Sequence, residues 1–367
     1  MSTAAPHATL FTGLDLHKRT VVATTLDAEG TTVAHRKLPA RADSLALYFA
    51  DLPVGPEVEH RAVAEATTGW YWVKDTLASL DIDFRLAHAK EVKAITGAKV
   101  KTDAKDARTL AQLLRVNLLP EAHVISDELR PLRDVLRTRL RLVERRTGAL
   151  NSIARLLEKV NVRDVADLPE LMQLQARCHL EQAELLAAQV KELERALHPH
   201  LVPDVDVQRL LRIPGIGKVN AFTLKLEIDD IARFPSDRAF FSYCRLVPGA
   251  DNSADRTKHK RSREGNRYLK LAFSHATVRA VQHYPEVREW YRRKRRKKPE
   301  AIARALVAKE IARIVYHVLR KREDFNGKFK GVVLDRVKQE QWPLLPSPAS
   351  RTDSGGMSDH RGTSDHP

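Results

Sequence analysis

The chain has 367 residues, 43% apolar and 30% charged, a globular balance long enough for two or three cores. It contains no run of about eighteen apolar residues, which excludes a membrane-spanning helix. With only Cys178 and Cys244, a disulfide framework and a four-cysteine zinc site are excluded too. MSTAAPHATLF lacks the basic and apolar regions of a secretory leader, so a cytoplasmic protein is expected. Lys and Arg total 63 against 47 Asp and Glu, a net +16. Positive and negative residues cancel over 1–125, so the whole surplus falls in 126–367. That asymmetry points to a polyanion partner gripped by the second part.

Residues 9–38 read as three strands, TLFTGLDLHK, RTVVATTLD and TTVAHRKLP, with Asp27-Ala28-Glu29-Gly30 as a turn. A helix over 42–52 stops at Pro53. A strand over 60–65, a helix over 69–80, a strand over 83–87 and a short helix over 90–96 follow. A final helix runs from 103 to about 116. The order βββαβαβα predicts an RNase H-like domain over 8–125, a mixed sheet flanked by helices.

Four carboxylates stand out in that frame. Asp15 lies in an apolar strand, where a lone charge is costly. Glu65 ends the strand AVAE, just before Thr67-Thr68-Gly69. Asp103 and Asp106, in KTDAKDARTL, share one helical face. The first strand, the end of the fourth and the last helix of such a fold converge at one sheet edge. Four carboxylates there need cations, most simply two Mg²⁺, which would activate a hydroxyl or water towards phosphate. Taken singly, Asp103 reads equally as an N-cap, Asp106 as a solvated partner of nearby lysines and Glu65 as an exposed strand end. Lys99, Lys101 and Lys105 would hold a scissile phosphate or stand solvated.

The period then changes. Leu129, Leu132, Leu136, Leu140, Val143, Leu150, Ile153, Leu157 and Val160 recur at steps of three, four and seven. After a break at 161–169, a second stripe runs through Leu174, Leu185, Val190, Leu193 and Leu197. A helical region over 126–200 is expected, as a hairpin on its own domain or an intermolecular coiled coil.

A helical domain over 201–330 comes next, with a compact module over 205–280 and a basic stretch over 286–323. Within LLRIPGIGKVNAFTL, Gly215, Gly217 and Lys218 resemble a helix-hairpin-helix, whose N–H groups bind a backbone phosphate; a plain helical corner is the alternative. Ser253 lies in a loop after Pro248-Gly249, among Arg256, Lys258, His259, Lys260, Arg261 and Arg263. It reads as a nucleophile beside charge-stabilising cations or as an ordinary loop serine. Tyr243, in AFFSY, is a rival that reads as core. Arg292, Arg293, Lys294, Arg295, Arg296, Lys297 and Lys298 are seven consecutive cations after Trp290-Tyr291. They fit phosphate contact with bases stacked on the rings, or a solvated helix face. Residues 343–367 are rich in Ser, Pro, Asp, Gly and His and should be a disordered tail.

These motifs, in this order over about residues 10–280, resemble the DEDD transposases of bacterial insertion sequences, the IS-one-ten type, also described as bridge-RNA-guided recombinases. GLDLHK, AVAEATTGWY and KTDAKDARTLAQLL match the acidic motifs, and LLRIPGIGKVNAFTLKLEIDDIARFPSDRAFFSYCRLVPG the opening of the C-terminal transposase domain. The resemblance implies a RuvC-like domain whose acids, Asp15, Glu65, Asp103 and Asp106, bind Mg²⁺. It also implies a coiled coil leading to a transposase domain whose nucleophile maps to Ser253, dimers or tetramers with composite active sites, and an element-encoded guide RNA. The family usually has Gly after its serine; here it is Ala254, and Arg245-Leu246-Val247 precede Pro248 where the family often has Gly-Leu. The function expected is therefore a nucleoid-associated DNA recombinase of a mobile element. Its rivals are a metal-dependent nuclease resembling Holliday-junction resolvases, with water as nucleophile, and a non-catalytic nucleic-acid-binding protein.

Overall fold

The computed structural model describes residues 8–53, 58–96, 103–247, 249–253, 256–260 and 265–335. They form two compact units that divide between Ile125 and Ser126.

The first unit opens with a meander of β1 (Ala8–Leu16), β2 (Thr20–Leu26) and β3 (Thr32–Pro39). At the β2–β3 turn, Asp27 accepts hydrogen bonds from the N–H groups of Glu29 (3.1 Å) and Thr31 (2.7 Å), and Gly30 adopts φ +88°. Then come α1 (Ala42–Ala50), β4 (Val58–Glu65), α2 (Trp70–Ala78), β5 (Asp83–Ala87), α3 (Ala89–Thr96) and α4 (Asp103–Arg115). The sheet order is β3-β2-β1-β4-β5; the meander is antiparallel, and β4 runs parallel to both β1 and β5. Parallel neighbours need crossovers, which α1 and α2 supply. This topology fits the RNase H-like fold.

Both sheet faces are covered. Leu10, Leu14, Val21, Ala23, Ala62 and Ala64 pack beneath Leu45, Tyr48 and Phe49 of α1 and Val73 and Leu77 of α2. A buried hydroxyl chain crosses that side: Thr12 lies 2.8 Å from its cross-strand partner Thr25, which lies 2.7 Å from the Tyr48 hydroxyl. On the opposite face Val63 and Ala87 meet Leu110 and Leu113 of α4.

The second unit begins with two 32-residue helices, α5 (Leu129–Val160) and α6 (Glu170–Leu201), packed along each other. Arg139, early in α5, donates from Nε to Glu194, late in α6, at 2.8 Å, so the pair is antiparallel. Ala176, Ala183, Val190 and Leu197 are buried at intervals of seven. Leu174 and Leu185, expected on the buried stripe, are 50% and 60% exposed. Near the start of α6 the buried seam falls on the small side chains Ala176 and Ala183, so apolar bulk alone misplaces it.

At its base, Leu136, Leu197 and Leu201 join a single large core. That core also includes residues of α7 (Val205–Leu211), α8 (Lys218–Ile228), α9 (Asp237–Tyr243), α10 (Arg267–His283), α11 (Pro285–Arg295) and α12 (Glu300–Lys321). Side-chain caps start three of these helices: Asp204 on Val207, Ser236 on Ala239, and Asn266 on Tyr268 and Leu269. The unit is not wholly helical. Strands β6 (Gly249–Ser253) and β7 (Arg256–Lys260) form a ribbon, and β8 (Lys328–Phe329) pairs with β9 (Val332–Val333). Ser253, expected in a loop, is thus the last residue of a strand. The tail expected over 343–367 lies outside the described residues.

Candidate active site

Three chain segments bring the acidic residues towards one sheet edge. Parallel pairing of β1 and β4 sets Leu14 beside Ala64, so the next step sets Asp15 beside Glu65. Side chains alternate along a strand, which puts Gly13 and Asp15, with Val63 and Glu65, on the same face. Helix α4 crosses that face. Its backbone comes so close to β1 that a Cβ on Gly13 would stand 1.9 Å from the Ala107 carbonyl oxygen and 2.6 Å from the Ala111 nitrogen. Asp106 immediately precedes this contact, and Asp103 opens the same helix one turn earlier.

Asp15 is 22% exposed, and its Oδ2 lies 3.2 Å from His17 Nε2. His17 is the first residue after β1, so this contact is a local one at the end of the strand. Among the described residues, no group of three or more His, Cys, Asp or Glu side chains stands close enough to hold a metal ion. The Asp103 side chain and Lys101 lie outside the described residues, and Lys105 is exposed in the first turn of α4. Neighbouring carboxylates repel, and their oxygens are the hard donors that divalent cations such as Mg²⁺ prefer. Asp15, Glu65 and Asp106 carry such oxygens on neighbouring segments, but in this structure the three side chains are not gathered closely enough to share one ion.

In the second unit, the two glycines of PGIG differ. Gly215 has φ +80°, and a Cβ there would stand 2.1 Å from the Ala276 carbonyl oxygen; it is required by packing against α10. Gly217 caps α8, and a Cβ there would meet nothing within 4 Å. An open backbone at Gly217, with Lys218 beginning the helix, is the part of this corner available to a ligand.

The β6–β7 ribbon pairs Ser253 with Arg256, Asp251 with Lys258 and Gly249 with Lys260. Arg256, Lys258 and Lys260 occupy alternate positions of β7, while Arg261 and Arg263 lie outside the described residues. The rival nucleophile, Tyr243, packs against Phe234 and the Arg233 guanidinium, whose carbon is 4.4 Å from the ring centroid. Burial pushes the Cys244 thiol well above its ordinary range, against a smaller opposing effect of Arg233. Tyr243, engaged in the core, is not a ready nucleophile. The sequence reading missed Glu227, whose side chain is only 1% exposed; its partners lie far away in the chain, so no local motif marks it.

Arg292, Arg293, Lys294 and Arg295 form the last turn of α11 and Arg296 caps it. Cations are favourable at a helix C-terminus, which accounts for part of this run without a ligand. The base-stacking expectation is corrected here. The Trp290 ring meets Phe329 edge-on at 5.7 Å and carries Lys294 Nζ 5.1 Å from its centroid. Tyr291 is buried, with its hydroxyl 3.4 Å from Glu300. Both rings are engaged within the protein because the helix turns them towards its core. Arg292, Arg293, Arg295 and Arg296 remain exposed.

Comparison with known proteins bears on both units. Residues 12–162 match the IS110-type DEDD model described as "Transposase", and residues 207–292 match "Transposase IS116/IS110/IS902 family". The chain is 26% identical over 331 residues to the "Probable family 20 transposase" of Pseudomonas aeruginosa, covering 84% of this chain and 96% of that protein. It is 25% identical over 262 residues to the "Transposase for insertion sequence element IS1328" of Yersinia enterocolitica, covering 66% and 75% respectively. The family matches and these relatives identify a DNA transposase. Among the described residues no helix is long and apolar enough to cross a membrane. The chain belongs to the IS110/IS116 family of insertion-sequence transposases.

Proposed function

We propose that this transposase excises and inserts its own mobile element through a phosphoserine intermediate at Ser253. Asp15, Glu65, Asp103 and Asp106 would hold divalent cations, most simply two Mg²⁺. Such ions, when bound, supply positive charge that stabilises a phosphate under attack. The Ser253 Oγ forms a bond to phosphorus while one flanking deoxyribose oxygen leaves, taking the serine proton to become a hydroxyl. Attack by a hydroxyl from the exchanged strand reverses the step and reseals the DNA with no external energy source. Arg256, Lys258 and Lys260 would stabilise charge on the phosphate. Gly217, Lys218 and the α11 cations would contact backbone phosphates.

The observation that supports the reading is the register pairing Leu14 with Ala64, the residues just before Asp15 and Glu65, on the strand against which α4 is pressed at Gly13. The positive second part supports binding of nucleic acid, including an element-encoded guide RNA, and residence on the nucleoid. Leucines exposed on α6, among them Leu171, Leu174 and Leu185, support self-association of the helical hairpin as a coiled coil.

End-labelled element-end DNA, incubated with Mg²⁺ and copurified RNA and run on a denaturing gel, tests the chemistry. Wild type should yield DNA covalently attached to protein; Ser253→Ala and Asp15→Ala should abolish the attachment. Free cut ends with no attachment would assign the nucleophile to water. DNA transactions unaffected by Asp15→Ala would remove the acids from the mechanism.

A further inference from the structure

The segments that lead into and out of the strand pair bearing Ser253 are tied to the rest of their unit by a buried polar network. Glu227 lies near the end of α8, and a carboxylate so buried is tolerated only when fully engaged. Arg137 of α5 donates to it through both arms of its guanidinium, Nε to Oε1 at 2.6 Å and Nη2 to Oε2 at 2.7 Å. Asn266 Nδ2 donates to Oε2 at 2.7 Å. A planar fork on a carboxylate fixes direction as well as distance. The same guanidinium lies 4.9 Å from the centroid of the Tyr268 ring.

Asn266 is where the chain returns from the ribbon. Its Oδ1 caps α10 by accepting from the N–H groups of Tyr268 (2.8 Å) and Leu269 (3.1 Å). Its own backbone N–H donates to the Tyr243 carbonyl at 2.6 Å, where the chain departs. Arg245 Nε donates to the Gly265 carbonyl at 2.8 Å, closing a second stitch. Gly265 has φ +92°, and a Cβ there would stand 2.4 Å from the Tyr243 oxygen, so this crossing tolerates no side chain. The departing and returning segments are thus clamped together, and the clamp is bolted through Glu227 to Arg137 on the long helical hairpin.

We propose that Arg137, Glu227 and Asn266 are positioning residues for Ser253: they fix the stance of the ribbon against α5 and make serine reactivity depend on the attitude of the helical hairpin. This rests on Ser253 being the nucleophile. An ion pair serving stability alone is replaceable by apolar side chains of similar volume with little or no loss. A positioning pair is not, because an ångström of misplacement at an attacking atom costs about 100-fold in rate.

The test compares wild type with Arg137→Lys, which keeps the charge and loses the fork, and with the apolar double variant Arg137→Met/Glu227→Leu. Melting temperature, DNA affinity, rate of covalent attachment and hydrogen exchange of the 249–260 amides are measured. The expected result is near-wild-type melting and DNA binding, attachment slowed about 100-fold, and faster exchange in the ribbon with α12 unchanged. Wild-type attachment rates and ribbon exchange in both variants overturn the proposal. If the double variant fails to fold, Arg137→Lys decides by the same readouts. If wild type forms no attachment, the phosphoserine reading falls, and ribbon exchange alone judges the mount: faster in the variants sustains it, unchanged refutes it.

Discussion

Replacing Gly13 with Ala adds one methyl group at the closest approach of α4 to the sheet. The methyl carbon would begin 1.9 Å from the Ala107 carbonyl oxygen, whereas ordinary contact starts at 3.4 Å. Both nearest atoms belong to backbone, which cannot swing aside as a flexible side chain would. The helix must therefore retreat by about 1.5 Å, in a core packed as densely as an organic crystal. Overpacking of this kind costs about 1–3 kcal/mol, and at about 4 °C per kcal/mol for a unit of this size the melting point should fall by about 4–12 °C. Because Asp106 adjoins the displaced turn, the chemistry should suffer more than the fold. Loss of at least about 100-fold in DNA cleavage rate is expected in preparations that remain folded. Thermal melts followed by circular dichroism, paired with cleavage assays well below the melting point, measure the two effects separately. A Gly13→Ala protein that melts and cleaves like wild type would refute the close crossing and the convergence of acids drawn from it.

Other consequences are simpler to check. Tyr48→Phe strips the buried Thr12–Thr25–Tyr48 chain of its terminal hydroxyl and should cost about 1–2 kcal/mol in urea unfolding. Gly215→Ala should destabilise the second unit, since its Cβ meets the Ala276 backbone at positive φ. Gly217→Ala should fold normally, and a salt titration of DNA binding then reports whether that corner holds a phosphate. In native protein at pH 8, a thiol reagent should react rapidly with exposed Cys178 and not with buried Cys244. Raised above its ordinary value, the Cys244 thiol stays protonated through that pH, and thiolate is the reactive form. Two fast equivalents would contradict its burial.

The first unit was legible because its signals are local. Apolar runs such as VVATTL and the stop at Pro53 locate elements within a few residues, and Asp27 with Gly30 writes its own turn. The second unit was legible in period and less so in detail. Leu174 and Leu185 attract attention as leucines, yet Ala176 and Ala183 are buried in the seam beside them. The β6–β7 ribbon has no apolar alternation in GADNS or RTKHK; its backbone ladder is invisible to hydropathy. Glu227 is paired with a residue 90 positions away, and only three-dimensional packing brings them together. Likewise Trp290 and Tyr291 look like ligand platforms beside a cationic run until α11 turns them inward.

The lengthwise packing of α5 and α6 has a mechanical corollary. Two helices packed along each other bend far less than either alone, so they behave as a rod. From Arg137 to Val160 that rod measures about 35 Å at 1.5 Å per residue. A sideways push of about 5 Å at its far end, if the rod pivots near its root, tilts it by about 8°. Such a tilt shifts groups a few ångströms from the pivot by less than an ångström, the scale on which attacking atoms gain or lose alignment. On the phosphoserine reading, whatever grips the distant tip therefore holds a lever on the reaction.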